Sequence, residues 1–227
     1  MRPDLLVHAD QDVQNLYFYR ACRLWDHTAN YGLEYFDRAP LPLDEITIIH
    51  YYGPKKPWHN LVTEAPMSAA RKPAIHRYRQ LRNQMQARLG DWPLAVTVIV
   101  DARDLDPTQF EACLESLWIQ TYTNLSVVIL TERPLPADLA AYLQQVKVFY
   151  PNIQVVTGDW ATAANATTDP LLFTFQLDQV LATPHIISQL VTALGTAAAV
   201  QAHQSAPAAL RPLSGWLLRR AALPAQA

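Results

Sequence analysis

The sequence has little glycine, little cysteine and no excess of charge. Its 227 residues include six glycines but seventeen prolines, which favours ordered joints over flexible linkers. The two cysteines, Cys22 and Cys113, are too few for a disulfide framework and lack metal-ligand spacing. Both lie in apolar helical patterns, so we expect buried thiols in a reducing, intracellular setting. The formal charge of -2 and the pI near 6.4 indicate no nucleic-acid partner.

Long hydrophobic runs are also missing. The first residues, 1–5, do not form the apolar stretch of a signal peptide. No run reaches the roughly 18 apolar residues that a membrane-spanning helix needs. We therefore expect a cytoplasmic protein, either soluble or peripheral at the inner membrane surface. With 50% hydrophobic and 17% charged residues, the composition is that of a globular protein.

The first part of the chain alternates helix, loop and strand. Apolar residues at three- and four-residue spacing predict a helix over 10–25, and Asp10 or Asp12 is suited to cap it. Turn residues predict an irregular segment over 26–43, followed by a strand over 45–50. A second helix is predicted over 68–90, with Pro73 in its first turn.

A strand–helix rhythm starts at Leu94 and predicts a mainly parallel sheet. The tail after Ala197 has no sustained period, and we expect it to be flexible. The predicted strands are 94–100, 125–130, 153–157 and 171–175, and the predicted helices are 110–120, 137–149 and 184–194.

The nonapeptide His50-Tyr-Tyr-Gly-Pro-Lys-Lys-Pro-Trp58 has the chemistry of a site for a metal diphosphate. Neutral imidazole, as in His50, binds first-row divalent metals. Gly53 allows the backbone to approach a phosphate, and the Lys56 ammonium supplies a positive charge for its oxygens. Trp58 is suited either to packing or to stacking on a sugar.

The spacing His-x-x-Gly-x-x-Lys-Pro-Trp resembles the C-terminal signature of glycosyltransferase family 8, whose members are retaining enzymes that use nucleotide sugars. The segment starting at Asp10-Gln11 resembles the family's Asp-Gln-Asp-x-x-Asn motif. The resemblance implies that His50 binds Mn²⁺ and that Gly53 and Lys56 contact the diphosphate of a UDP-sugar. It places Asp10 and Gln11 near the reacting sugar and the acceptor, although Asp10 as a simple helix cap is an alternative.

The resemblance also implies a nucleotide-binding half with an Asp-x-Asp metal pair, which this sequence does not contain. One histidine cannot hold Mn²⁺ against water, because such hard metal sites need several oxygen ligands. We therefore expect a fragment of a longer transferase, or a descendant of one by truncation, that is inactive as this chain alone.

Residues 94–194 resemble the start of a family 2 glycosyltransferase, the inverting GT-A fold. The stretch Cys113-Leu-Glu-Ser-Leu-Trp-Ile-Gln-Thr-Tyr-Thr-Asn-Leu125 carries this resemblance. The functional positions differ: a single carboxylate, Asp178, stands where two metal-binding aspartates are expected. Asp101 is retained after the first strand, where a role as a helix cap or a loop residue is the alternative to a functional one. This half is therefore interpreted as a degenerate GT-A-like module without catalytic activity.

The helix between these two parts is basic. It is suited either to lie on an anionic membrane surface or to pack as a solvated helix between domains. Nucleic acid is disfavoured because no binding motif accompanies the charge. Its cations are Arg71, Lys72, Arg77, Arg79, Arg82 and Arg88.

Together these features predict an α/β protein in which an incomplete GT-A (Rossmann-like) C-terminal piece is joined by a helix to a second GT-A-like module with a mainly parallel sheet. The expected boundaries are 1–65 for the family 8-like portion, 66–93 for the connector, 94–197 for the module and 198–227 for the tail. The implied reaction is hexose transfer from a UDP-sugar to a glycan or glycoprotein acceptor. One alternative is a non-catalytic module that binds a partner glycosyltransferase or a glycan, and another is a decayed reading frame without function.

Overall fold

The chain divides into two compact units, with the boundary between His50 and Tyr51. The predicted helix over 10–25 lies outside the described residues, as does Cys22. The domain boundaries expected at residues 65 and 93 stay predictions. The computed structural model describes residues 26–63, 66–89, 92, 94–104, 106–176, 181, 183–195, 197, 199–201 and 216–220.

The described part of the first unit consists of short elements around a small aromatic core. Tyr31 packs edge-on against Phe36, with 5.0 Å between the ring centroids. Two short strands of this unit, Tyr31–Gly32 and Ile49–His50, pair in parallel. The elements are a 3-10 turn His27–Asn30, β1 Tyr31–Gly32, α1 Tyr35–Arg38 and β2 Ile49–His50.

The strand predicted over 45–50 is much shorter in the structure. Only Ile49–His50 is extended and paired, while residues 43–45 form a turn. The carbonyl of Thr28 accepts hydrogen bonds from both Thr47 N and Ile48 N, each 3.0 Å long. Because these two amides bond to one loop carbonyl, they do not continue the strand ladder of β2.

The second unit is built on one mixed sheet. Its described strands are β3 Val96–Asp101, β4 Leu125–Thr131, β5 Ile153–Thr157, β6 Leu171–Gln176, β7 Ala199–Gln201 and β8 Trp216–Arg219. They lie in the order β5-β4-β3-β6-β8-β7. The strands β5, β4, β3 and β6 are parallel to one another, and β8 runs antiparallel to both β6 and β7. The helices are α2 Lys72–Leu89, α3 Pro107–Trp118, α4 Ala137–Lys147, α5 Trp160–Asn165 and α6 Ile186–Leu194.

Hydrophobic pattern explains the centre of this sheet. Residues 96–100 of β3 and 171–175 of β6 are buried, as expected for parallel strands covered on both faces. One core contains Phe110, Leu114 and Leu143 with the inward residues of the strands. A smaller core on other strand residues includes Ile99, Val128 and Ala163. The predicted α/β class with a mainly parallel sheet is therefore confirmed.

Two elements of the second unit differ from the prediction. The short helix α5 is missing from the predicted set, and Asp159 caps it by accepting from Thr162 N at 2.8 Å. The tail expected to be flexible contains β7 and β8, and Leu217 of β8 is fully buried against the core. The expectation was wrong there because a strand of three or four residues is too short to show a period.

Within the described residues, no helix combines the length and the apolar character needed to cross a bilayer.

Candidate functional site

His50, the predicted metal ligand, stands exposed at the end of β2. Its Nδ1 lies 2.9 Å from Oδ1 of Asn30, in the turn that precedes β1. Because an amide oxygen accepts, this contact suits the tautomer in which Nδ1 carries the proton. Metal-binding histidines are oriented in this way by a hydrogen bond to the second ring nitrogen. The local geometry therefore suits a ligand role for His50.

Gly53 and Lys56, the predicted diphosphate contacts, lie in the second unit, which begins at Tyr51. Gly53 has a φ of +79°, which is a conformation that glycine adopts without strain. The Lys56 Nζ donates to the carbonyl of Tyr51 at 2.8 Å. The short loop is thus held by its own lysine, and its glycine is required by the backbone itself.

Trp58 and Lys55 complete this loop. The Trp58 side chain is 49% exposed, and its ring meets that of His59 edge to face, with 6.3 Å between the ring centroids. The Lys55 ammonium donates to the carbonyl of Pro66.

Asp10 and Gln11, the predicted residues near the reacting sugar, lie outside the described residues.

The donor set in the described part of the chain does not fit a complete Mn²⁺ site. His50 is its only predicted ligand there, and no group of three or more His, Cys, Asp or Glu side chains is placed to hold a metal among those residues. Manganese prefers several oxygen ligands. The other ligands that the family resemblance implies have no counterpart in the described structure.

At the carboxyl edge of the second sheet, Asp101 is held by a neighbouring arginine. Arg103 donates from Nε to Oδ1 and from Nη2 to Oδ2, both at 2.9 Å. Hydrogen bonding to Asp101 raises the pKa of Arg103. Thr131 ends the neighbouring strand β4, while Asp178 lies outside the described residues. This supports the interpretation of Asp101 as part of the local loop structure.

The basic helix is less basic than its sequence indicates. Arg79 is fully buried and pairs with Glu115 of α3 at 2.9 Å. Arg82 donates to the carbonyls of Trp118 and Gln120, where α3 ends. Lys72 pairs with Glu111 of the same helix. The face available to an external anion therefore carries fewer charges than the sequence alone implies.

Sequence analysis missed the cluster that surrounds Glu115. His76 Nδ1 lies 3.1 Å from the Tyr150 hydroxyl, and Arg79 also donates to the carbonyls of Pro57 and His59. The amide of Leu61 donates to Glu115 at 3.4 Å. A glutamate within the apolar run of α3 was the available signal, because a buried carboxylate needs a partner. The cluster joins α2, α3 and the loop that follows Trp58.

Comparison with known proteins finds one matching family model. The family model "Glycosyl transferase family 8" matches residues 1–62. No curated protein matches the sequence.

The solved structures similar to this chain include the following three. A mannosyltransferase of Pyrobaculum calidifontis in complex with GDP-Man and Mn²⁺ is 18% identical over 58% of this chain, with a TM-score of 0.42. TarS 1-349 of S. aureus is 13% identical over 56%, with a TM-score of 0.43. GalNAc-T7 with UDP, GalNAc and Mn²⁺ is 14% identical over 46%, with a TM-score of 0.39.

This chain covers 45%, 48% and 22% of those three chains, so it spans less than half of their length. The second unit has a mixed α/β fold with a mainly parallel sheet. The family 8 match includes His50, Gly53 and Lys56, on which the resemblance was based. Residues 1–62 of this chain therefore match the family model on which the resemblance to glycosyltransferase family 8 bears.

Proposed function

We propose that this chain is part of a glycosyltransferase that transfers a hexose from a UDP-sugar to a glycan or glycoprotein acceptor. The observation that carries the proposal is the orientation of His50 by Asn30 within a segment that matches family 8. The similar structures whose titles print GDP-Man, UDP or UDP-GlcNAc contain nucleotide sugars or nucleotides. Those ligands are properties of those proteins.

Each site residue has a task that its chemistry allows. Breaking a sugar–phosphate bond leaves negative charge on the nucleotide, which a lysine ammonium such as Lys56 stabilises. Gly53 keeps the loop backbone accessible to a diphosphate because it carries no side chain. His50 would bind Mn²⁺ together with carboxylates from outside the described residues. Asp10 and Gln11 are assigned to the sugar and acceptor side by the resemblance alone.

The test uses the longest native polypeptide that carries this sequence. His50→Ala should abolish Mn²⁺-dependent UDP-sugar turnover, and Asn30→Ala should raise the Mn²⁺ requirement about 10- to 100-fold, as loss of an orienting partner does. His185→Ala is the matched control, because this exposed histidine lies in the second unit before α6. Turnover with unchanged Mn²⁺ dependence in His50→Ala would show that the assignment is wrong.

For the second unit we propose a non-catalytic module that binds a partner glycosyltransferase or a glycan. The fork between Arg103 and Asp101 supports this, because both carboxylate oxygens already accept from a guanidinium. Asp101→Asn should leave sugar transfer by the native polypeptide unchanged. A large loss of transfer with an unchanged melting temperature would instead make Asp101 a functional carboxylate.

Peripheral membrane contact is a separate proposal for α2. Leu81, Met85 and Leu89 recur every four residues and are 48%, 64% and 69% exposed, with Arg77 and Arg88 also exposed on the same helix. Such a face suits the interface of an anionic bilayer. Co-sedimentation with phosphatidylserine vesicles should exceed that with neutral vesicles and fall in Met85→Gln. Equal, weak sedimentation with both vesicles would reject membrane contact.

A further inference from the structure

A cavity of about 230 Å³ opens at the amino ends of β4 and β5. Leu125 and Ile153, the first residues of these strands, contribute to its wall, and α2 contributes Gln84 and Ala87. Ligands of open α/β sheets usually bind at the carboxyl ends of the strands. The cavity therefore lies at the opposite edge from Asp101, and no proposed donor residue takes part in it.

The lining of this cavity is aromatic and polar but carries no charged side chain. Trp118 and Tyr150 stack in parallel, with 4.2 Å between their ring centroids. Tyr122 and Phe149 extend the aromatic wall. A cavity of this kind excludes phosphates and carboxylates as preferred ligands, because nothing in the lining compensates their charge.

Some lining amides are already used by the fold. Gln120 donates to the carbonyls of Ser116 and Thr183, and its oxygen accepts from Ile187 N. Asn83 accepts from the guanidinium of Arg82. These side chains hold the wall of the cavity in place.

Other polar groups of the lining have no partner among the described residues. The side-chain amides of Gln84 and Asn152 make no hydrogen bond there, and each amide can both donate and accept. The Thr123 hydroxyl is buried without a partner in the described structure. A buried polar group of this kind costs free energy unless a ligand or water completes it. The buried hydroxyl of Thr123 therefore needs a polar partner, and the exposed amides of Gln84 and Asn152 suit a ligand that both donates and accepts.

We propose that this cavity binds one neutral saccharide unit. Sugar hydroxyls both donate and accept, which matches the amides of Gln84 and Asn152. The apolar C–H faces of a sugar ring pack against aromatic rings, which Phe149 and its neighbours supply. The volume is below the range of about 300–1,000 Å³ typical of drug-sized ligands, so it suits a single ring. The proposal stands on the cavity and names a ligand class for the module proposed above.

The experiment is saturation-transfer NMR on the full chain with methyl glycosides of glucose, galactose and N-acetylglucosamine, and with glucose 6-phosphate. Neutral glycosides should show saturation transfer and the phosphate should bind more weakly. Gln84→Ala and Asn152→Ala should each weaken binding roughly two- to tenfold, the usual effect of one hydrogen bond. Ala87→Trp should block the cavity from its exposed wall and abolish binding.

Two controls keep this result separate from the donor site. Gln189→Ala removes an exposed amide from α6, outside the cavity, and should leave the affinity unchanged. His50→Ala should also leave it unchanged, so failure of the transferase proposal does not imply failure of this one. The inference is overturned if no glycoside binds, if glucose 6-phosphate binds as tightly as its neutral counterpart, or if Ala87→Trp binds normally with an unchanged melting temperature.

Discussion

Arg79 and Glu115 form an ion pair whose two side chains are completely buried, with 2.9 Å between Nη1 and Oε2. Burial opposes the charge on the guanidinium, but the attraction of Glu115 outweighs it and raises the pKa of Arg79. The same guanidinium donates hydrogen bonds to the carbonyls of Pro57 and His59. This pair therefore joins the loop around Trp58 to the helices of the second unit.

Removing one partner of this pair should be strongly destabilising. We expect Glu115→Ala to lower the free energy of unfolding by about 3–5 kcal/mol, because it leaves a buried positive charge without compensation. Glu111→Ala, on the same helix, removes the partly exposed pair with Lys72 and should cost at most about 1 kcal/mol. Urea denaturation measures both values. If the two variants lost similar free energies of unfolding, the buried pair would contribute no more to stability than the partly exposed one.

Stability should fall with acid because of His76. Burial, assisted by the positive charges of Arg79 and Lys72, lowers its pKa from 6.5 to about 3, although Glu115 Oε1 lies 3.7 Å from Nε2. Between those values the unfolded chain binds a proton that the folded imidazole does not. Stability is therefore greatest above pH 6.5 and decreases towards pH 3, by about 1.4 kcal/mol per pH unit at most.

The measurement is the urea midpoint of the wild type and of His76→Phe at pH 7.5 and pH 5. Phenylalanine fills a similar space without a titrating group, so its midpoint should change less between the two conditions. The same pH dependence in both proteins would show that other groups control it.

The end of the chain should contribute to the core. Leu217→Ala in β8 removes a fully buried side chain and should cost about 2–5 kcal/mol. Leu218→Ala, one residue on, is the control because that side chain is only partly buried. Thermal or urea unfolding of the two variants separates them. Equal stability of Leu217→Ala and wild type would restore the prediction of a flexible tail.

Gly53 should be required for its backbone conformation. An added Cβ would meet no atom within 4 Å, yet the φ of +79° disfavours side chains. We expect Gly53→Ala to cost about 1–2 kcal/mol and Gly53→Asn less, since asparagine tolerates this region. Urea unfolding measures the difference. If alanine and asparagine are equally tolerated, the glycine is not needed for the turn.

Sequence predicted the sheet of the second unit well. The strand predicted over 153–157 has the same bounds in the structure, and the predictions over 125–130 and 171–175 each differ from it by one residue. Short runs of apolar and β-branched residues bounded by turn residues are typical of strands, which is why these predictions were reliable. The strand over 45–50 was overpredicted, since its amides bond to a loop carbonyl that no local pattern reveals.

The candidate site was predicted in part. The motif around His50 could be read from its residue types, and it lies within the residues that the family 8 model matches. The partner of His50, Asn30, lies twenty residues earlier in the chain, so no local spacing could identify it. The site roles of Asp10, Gln11, Gly53 and Lys56 stay predictions.

By itself, the sequence determined the resemblance of residues 1–62 to family 8, the α/β class and the positions of the core strands along the chain, because these depend on local residue types and hydrophobic period. Only the tertiary structure decided that Arg79 is a buried partner of Glu115 rather than a surface cation, and that Leu217 completes the core. Both outcomes depend on contacts between residues far apart in the chain. The free energy of burying a charge or a leucine depends on what surrounds it, and the fold alone supplies those surroundings.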